Sequence, residues 1–171
     1  MARTLTPTNA KWVQNASRPY LVNSDPILIT NGQAWNAGMF LKLVSGAFVI
    51  SSTSAANGVG ADKISHFALN TQTDPGNATT KVVAGVVHAD DLWEMNLSTA
   101  AAATRAGTCG IKFQLVTTGT TLNEVVAGDT HKVFQGVNPA WAERPIDNIE
   151  SDLRARITVN VLQTAIDAVG A

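Results

Sequence analysis

The feature that most constrains this chain is a series of short runs rich in Val, Ile and Phe, separated by turn residues at roughly 8–12-residue intervals. The clearest turn signals are Asn31-Gly32, Ser45-Gly46 and Asp74-Pro75-Gly76-Asn77, since Pro presets φ and Gly accepts positive φ in a turn. β-Branched and aromatic residues suit a half-buried pleated surface. The pattern therefore predicts an all-β fold, a small sandwich or barrel.

The apolar runs give the predicted positions of the strands. Two runs around Ser45-Gly46 favour a β-hairpin. The strands are expected near residues 26–30, 39–44, 47–52, 64–70, 81–88, 92–97, 110–117, 122–126 and 130–137.

The C-terminal piece fits two patterns. Ile149, Leu153, Ile157 and Val161 have a helical four-residue spacing, whereas Ile157, Val159 and Val161 alternate with polar residues. The density of β-branched residues favours a strand over about 154–163. A short helix over 146–153 is compatible with that assignment.

The chain has 171 residues, which is the size of one ordinary domain that can bury a substantial core. Residues 1–24 are rich in Thr, Asn, Pro and Ser and lack a sustained period. Pro7 and Pro19 disfavour both helix and central strand. We therefore predict an extended N-terminal arm over residues 1–24 and a single β-domain over residues 25–171 that includes the C-terminal strand.

Charged residues make up only 15% of the chain, against about 25% in typical globular domains. The formal net charge is −1 and the Lys and Arg residues are scattered, so the chain has no basic footprint for a nucleic acid. The first residues contain no apolar signal region, and no run approaches the ~20 apolar residues of a membrane span. We expect a protein made in a cytoplasm that binds neither nucleic acid nor membrane.

No combination of residues predicts an active site. His88, Asp90 and Asp91 form the one cluster of metal-ligand type, but a strand end followed by a polar turn explains it without further ligands. The chain lacks a Gly-x-Ser-x-Gly nucleophile motif and a Gly-rich phosphate loop. Cys109 is the only cysteine, and its neutral surroundings favour a buried structural thiol. The sequence predicts no enzyme, no cofactor and no metal site.

The four tryptophans indicate where contacts form. Trp93 lies within a predicted strand and is expected in the core, whereas Trp12, Trp35 and Trp141 lie near turns or prolines. Tryptophan is enriched at the centres of protein interfaces, because it buries a large area with few rotatable bonds. The candidate contact residues for a partner or a neighbouring subunit are Trp12, Tyr20, Trp35, Trp141 and Arg144.

The order of these elements resembles a known family. Trp35-x-x-Gly38 is followed by the hairpin MFLKLVSGAFVIS, then ISHFALN, VVAGVVHADDLWEMNL and GTCGIKFQLV. This order over roughly residues 25–162 resembles the capsid decoration (cement) proteins of tailed bacteriophages, in particular those with the β-tulip fold. The N-terminal arm and the segment over residues 137–152 depart from the family pattern.

The resemblance implies a homotrimer on the outer surface of a virion, which clamps adjacent major capsid proteins and carries no cofactor. Two other functions stay open at this stage. A carbohydrate- or receptor-binding module of a phage head or tail fibre would use exposed Trp and Tyr rings, and a small β-barrel enzyme would use His88, Asp90 and Asp91.

Overall fold

The computed structural model describes residues 8, 10–14, 25–51, 64–77, 79–89, 91–98, 108–118, 122–127, 133–139 and 156–162. Strands are the elements that these residues form, so the predicted all-β class is confirmed. The strands are β1 (Lys11–Gln14), β2 (Ile27–Ile29), β3 (Phe40–Val44), β4 (Ala47–Ile50), β5 (His66–Ala68), β6 (Lys81–Val82), β7 (Ala84–Val86), β8 (Leu92–Asn96), β9 (Lys112–Thr118), β10 (Leu122–Ala127), β11 (Phe134–Pro139) and β12 (Arg156–Val161).

The first sheet has the order β1-β8-β12-β11-β9-β10, with every neighbouring pair antiparallel. An isolated bridge joins Leu97 to Val125, and the Ser98 amide donates to the Val125 carbonyl at 2.9 Å. This bridge brings β10 back to the end of β8, so the sheet curls into a nearly closed barrel.

The second sheet has the order β6-β2-β4-β3-β5-β7, and the pair β2–β4 is parallel. Its two edge strands, β6 and β7, are consecutive in the chain and are separated only by Val83. The sheet must therefore curl until its edges meet at this residue. The predicted hairpin joins β3 and β4, and Ser45 and Gly46 have φ values of 50° and 77° at its turn.

The main core lies between the two sheets. Phe40 of β3 contacts Trp93 edge-on with ring centroids 4.7 Å apart, and Phe134 of β11 at 5.3 Å. Phe67 of β5 packs against the same Trp93 ring at 4.8 Å. Edge-to-face pairs contribute about 0.5–1.5 kcal/mol each beyond the burial of their area. The expectation that Trp93 is a core residue is confirmed, since it is 1% exposed.

A second core lies on the concave face of the second sheet. It contains Ile29, Trp35, Met39, Leu41 and Phe48. Phe40 and Leu41 are neighbours on β3 and point to opposite sides, as the two-residue period of a strand requires. The second sheet is therefore buried on both faces at its centre, which explains why β3 begins with three consecutive buried residues.

Residues 11–14, which lie inside the predicted arm, form the edge strand β1, whereas the predicted boundary at residue 24 lies outside the described residues. The C-terminal strand is confirmed as β12, and the region of the alternative helix over 146–153 is outside the described residues. Cys109 is partly exposed, so the prediction of a buried thiol is wrong.

Gly85 makes room for an aromatic ring. It lies opposite Phe67 in the β5–β7 ladder, and a Cβ atom at this position would lie 2.2 Å from the Phe67 ring. The ring cannot easily retreat, because it packs against Trp93.

We expect Gly85→Ala to destabilise the fold by about 1–3 kcal/mol, the usual cost of overpacking a core. The measurement is the free energy of unfolding by denaturant titration. The double variant Gly85→Ala/Phe67→Leu should lose less unfolding free energy than the sum of the losses in the two single variants, because a smaller side chain leaves room for the methyl group. Additive costs would contradict this account.

Candidate functional site

The N-terminal strand lies along the edge of the first sheet. β1 pairs with β8, with Lys11 opposite Glu94 and Trp12 opposite Trp93, and its register shifts between Trp12 and Gln14. Upstream of the strand, the Thr8 amide donates to Asn96 Oδ1 at 3.0 Å. The chain is therefore held against β8 by its backbone, by one aromatic side chain and by a buried amide.

The candidate contact residues have different environments. Trp12 is partly buried and packs against the core between the sheets, so it anchors β1. Trp35 is 3% exposed and belongs to the second core, which leaves little of its ring for contact with another chain. Tyr20, Trp141 and Arg144 lie outside the described residues, and their predicted roles stay predictions.

The burial of two tryptophan rings limits their use in sugar binding. A ring that stacks on a sugar needs an accessible face, whereas Trp35 and Trp93 are 3% and 1% exposed. Neither ring can act as a stacking platform in this conformation. Trp35 is fixed further by a backbone bridge, because its amide donates to the Gln72 carbonyl at 2.9 Å and the Gln72 amide donates back at 2.8 Å.

The cluster around His88 forms a turn. The His88 amide donates to Asp91 Oδ2 at 2.8 Å, and the Asp91 amide donates to the His88 carbonyl at 3.3 Å. Asp91 is 3% exposed and leads directly into β8, whereas Asp90 is outside the described residues. In the described part of the chain, His, Cys, Asp and Glu side chains do not gather in groups of three or more that suit a metal ion.

Among the described residues, His66 is a titratable side chain in an unusual environment. It is 1% exposed, its Nδ1 lies 2.8 Å from Ser65 Oγ, and its ring meets Phe48 edge-on at 4.9 Å. Burial, and to a lesser degree repulsion by His88, lower the pKa of His66 from 6.5 to about 4. His66 is therefore neutral in the folded protein at neutral pH.

This pKa predicts an acid-sensitive fold. Between pH 6.5 and about 4 the unfolded chain binds the His66 proton more readily than the folded chain, so stability falls as the pH drops through this window. The full shift, from 6.5 to about 4, corresponds to a loss of at most about 3 kcal/mol at the lower end. Denaturant titrations at a series of pH values measure the slope.

His66→Asn should flatten that slope, since Asn does not titrate. The matched control is His131→Asn, which removes the third histidine of the chain and should leave most of the slope in place. An unchanged slope in His66→Asn would contradict the assignment to His66.

A buried ion pair lies on the face of the first sheet opposite the Trp93 side chain. On β8, Glu94 and Asn96 alternate with the core residues Trp93 and Met95 and are 3% and 0% exposed. Arg156 of β12 lies 3.2 Å from Glu94, measured from Nη2 to Oε2. Sequence reasoning missed this pair, because polar residues that alternate with apolar ones in a strand usually face solvent.

Removing one member of the pair should lower the free energy of unfolding more than removing both members. Arg156→Met takes a cation away from the buried Glu94 carboxylate, and we expect a loss of roughly 2–4 kcal/mol in the free energy of unfolding. Glu94→Gln combined with Arg156→Met should recover part of that loss, because no buried charge is left without its partner. A double variant as unstable as the sum of the two single variants would contradict the coupling.

Comparison of the chain with protein-family models, curated proteins and solved structures found no match. Within the described residues, no helix is long and apolar enough to cross a bilayer. Function must therefore be argued from the fold and from the residues placed on it.

Proposed function

We propose that this chain is a structural virion protein that decorates the outer surface of a tailed-bacteriophage capsid as a homotrimer and clamps adjacent major capsid proteins. The observation that carries the proposal is the position of β1. A segment from the N-terminal arm lies as an edge strand on a body whose two sheets share one core. This arrangement suits a rigid body with an N-terminal segment fixed along its edge.

The anchoring of β1 supports the clamp mechanism. Trp12 packs on the core and Thr8 bonds to Asn96, so the segment that precedes residue 8 starts from a fixed point on the body. An arm with a fixed root loses less conformational freedom on binding than one that is attached through a long flexible linker. Three such arms on one trimer would also bind as linked modules, which raises the overall affinity without new contacts.

The composition supports the same proposal. Charged residues are 15% of the chain and the net charge is −1, so long-range electrostatic steering contributes little to any association. A protein of this kind is suited to close contact with neighbours, through apolar and hydrogen-bonding surfaces.

The test is binding to capsids assembled from the major capsid protein that the same genome encodes. The purified chain should have the mass of a trimer by size-exclusion chromatography with light scattering. It should also sediment with these capsids to a saturating occupancy. A monomer that does not sediment with the capsids would contradict the proposal.

Truncation separates the role of the arm from that of the body. Removal of residues 1–24 also removes β1 and uncovers the edge of β8, so removal of residues 1–7 is the cleaner variant. We expect the shorter truncation to leave the unfolding free energy nearly unchanged and to weaken capsid binding by about 100-fold or more, because three linked contacts are lost. Unchanged occupancy would show that the arm does not clamp, even if the body binds.

A further inference from the structure

The second sheet contains a cavity beside the Trp35–Gln72 bridge. It has a volume of about 270 Å³ and opens beside Val83, the residue that joins the two edges of the sheet. Its inner wall includes Leu41, Ala68 and Ala84, which belong to the second core. The cavity is thus an opening into the concave face of the sheet.

The sequence explains why the space is there. Ala68 of β5 and Ala84 of β7 are directly opposite each other in the ladder, and both point into the second core. Two small side chains at one paired position leave a gap where larger residues would close the core. The Trp35–Gln72 bridge then borders the gap with a fixed backbone.

The chemistry of the lining selects the occupant. No charged side chain is among the lining residues, and Asn70 and Gln72 supply the only side-chain amides. Burial of a charged group here would be unfavourable, because nothing in the lining could compensate its lost hydration. An uncharged, largely apolar group is the complementary occupant.

The size of the cavity narrows the choice further. Pockets for drug-sized ligands are typically about 300–1,000 Å³, and this one, at about 270 Å³, is smaller. Its volume suits one bulky side chain. Binding energy at protein interfaces is often concentrated in a single aromatic side chain that enters a pocket.

We propose that this cavity receives one large apolar side chain, aromatic or aliphatic, from an extended segment of a partner protein. The side chain enters past Val83, which is 37% exposed, and the exposed Asn70 amide at the rim can bond to the backbone of the segment. The identification of the partner as the major capsid protein rests on the proposed function. The capacity of the cavity for an apolar side chain does not.

The first experiment tests the cavity without a capsid. N-Acetyl-phenylalaninamide is titrated into the full chain, and the methyl resonances of Ala68 and Ala84 are followed by NMR. We expect saturable shifts at these two methyls, and Val83→Asp should weaken the apparent affinity by about tenfold, because it places a charge at the apolar entrance. The matched control is Val44→Asp, at a valine that is 44% exposed and lies outside the cavity lining.

The second experiment tests the partner. Val83→Asp should lower capsid affinity by about tenfold or more, whereas Val44→Asp should bind like the unmodified chain. Ala84→Leu, which fills the cavity from within, should act like Val83→Asp if it folds. Because Val83 is at the surface, Val83→Asp keeps the test valid even if the buried substitution fails to fold.

The outcomes separate the two proposals. If the chain binds capsids and Val83→Asp binds equally well, the cavity inference is wrong and the decoration proposal stands. If the unmodified chain does not bind capsids, the decoration proposal is wrong, and the titration alone decides whether the cavity accepts an apolar side chain. The absence of saturable shifts at Ala68 and Ala84 would overturn the cavity inference in either case.

Discussion

The two sheets are held together by one group of aromatic rings, and most other features of the fold depend on it. Trp93 makes T-shaped contacts with Phe40 and Phe67 of the second sheet, and Phe40 also contacts Phe134. Each sheet could curl without the other, but the faces that carry these rings would then be exposed to water. Burial of that area favours a single packed body. The absence of a side chain at Gly85 and the start of β3 with buried residues on both faces follow from the same packing.

The remaining polar features are arranged around this core in two ways. On β8, the residues that point away from the rings include Glu94 and Asn96, which are buried and bonded to Arg156 and to the N-terminal segment. In the second sheet, His66 is kept neutral by burial. Although the chain has few charged residues, several of its ionisable or amide side chains are therefore buried. That distribution fits a protein whose role depends on a rigid body and on its contacts.

The strands were predictable from sequence, whereas their partners were not. Val, Ile and Phe runs bounded by Gly and Pro locate a strand, and a Ser-Gly pair between two such runs specifies a hairpin, so β3 and β4 were predicted with their turn.

Nothing local indicates that β6 and β7, predicted as one strand over 81–88, pair at opposite edges of one sheet. The strand β1 was missed because four residues between prolines carry little signal until β8 supplies a ladder. Trp35 was a candidate contact residue because it lies near turns, and long-range packing buries it. The cavity depends on the pairing of Ala68 with Ala84, which no sequence pattern predicts.

The strand order has a consequence for how the chain folds as it is synthesised. The second sheet uses only residues between Ile27 and Val86, so all of its strands have been synthesised by the middle of the 171-residue chain. In the first sheet, β12 lies between β8 and β11, although it is the last of the described strands in chain order. The β1–β8 and β11–β9–β10 parts of the first sheet are therefore joined through β12 only after residue 161 has been made, and β12 has a large sequence separation from β8. Such non-local pairing is slow to form, and a nascent chain halted before β12 would leave the edges of β8 and β11 unpaired, which favours pairing with other chains and aggregation.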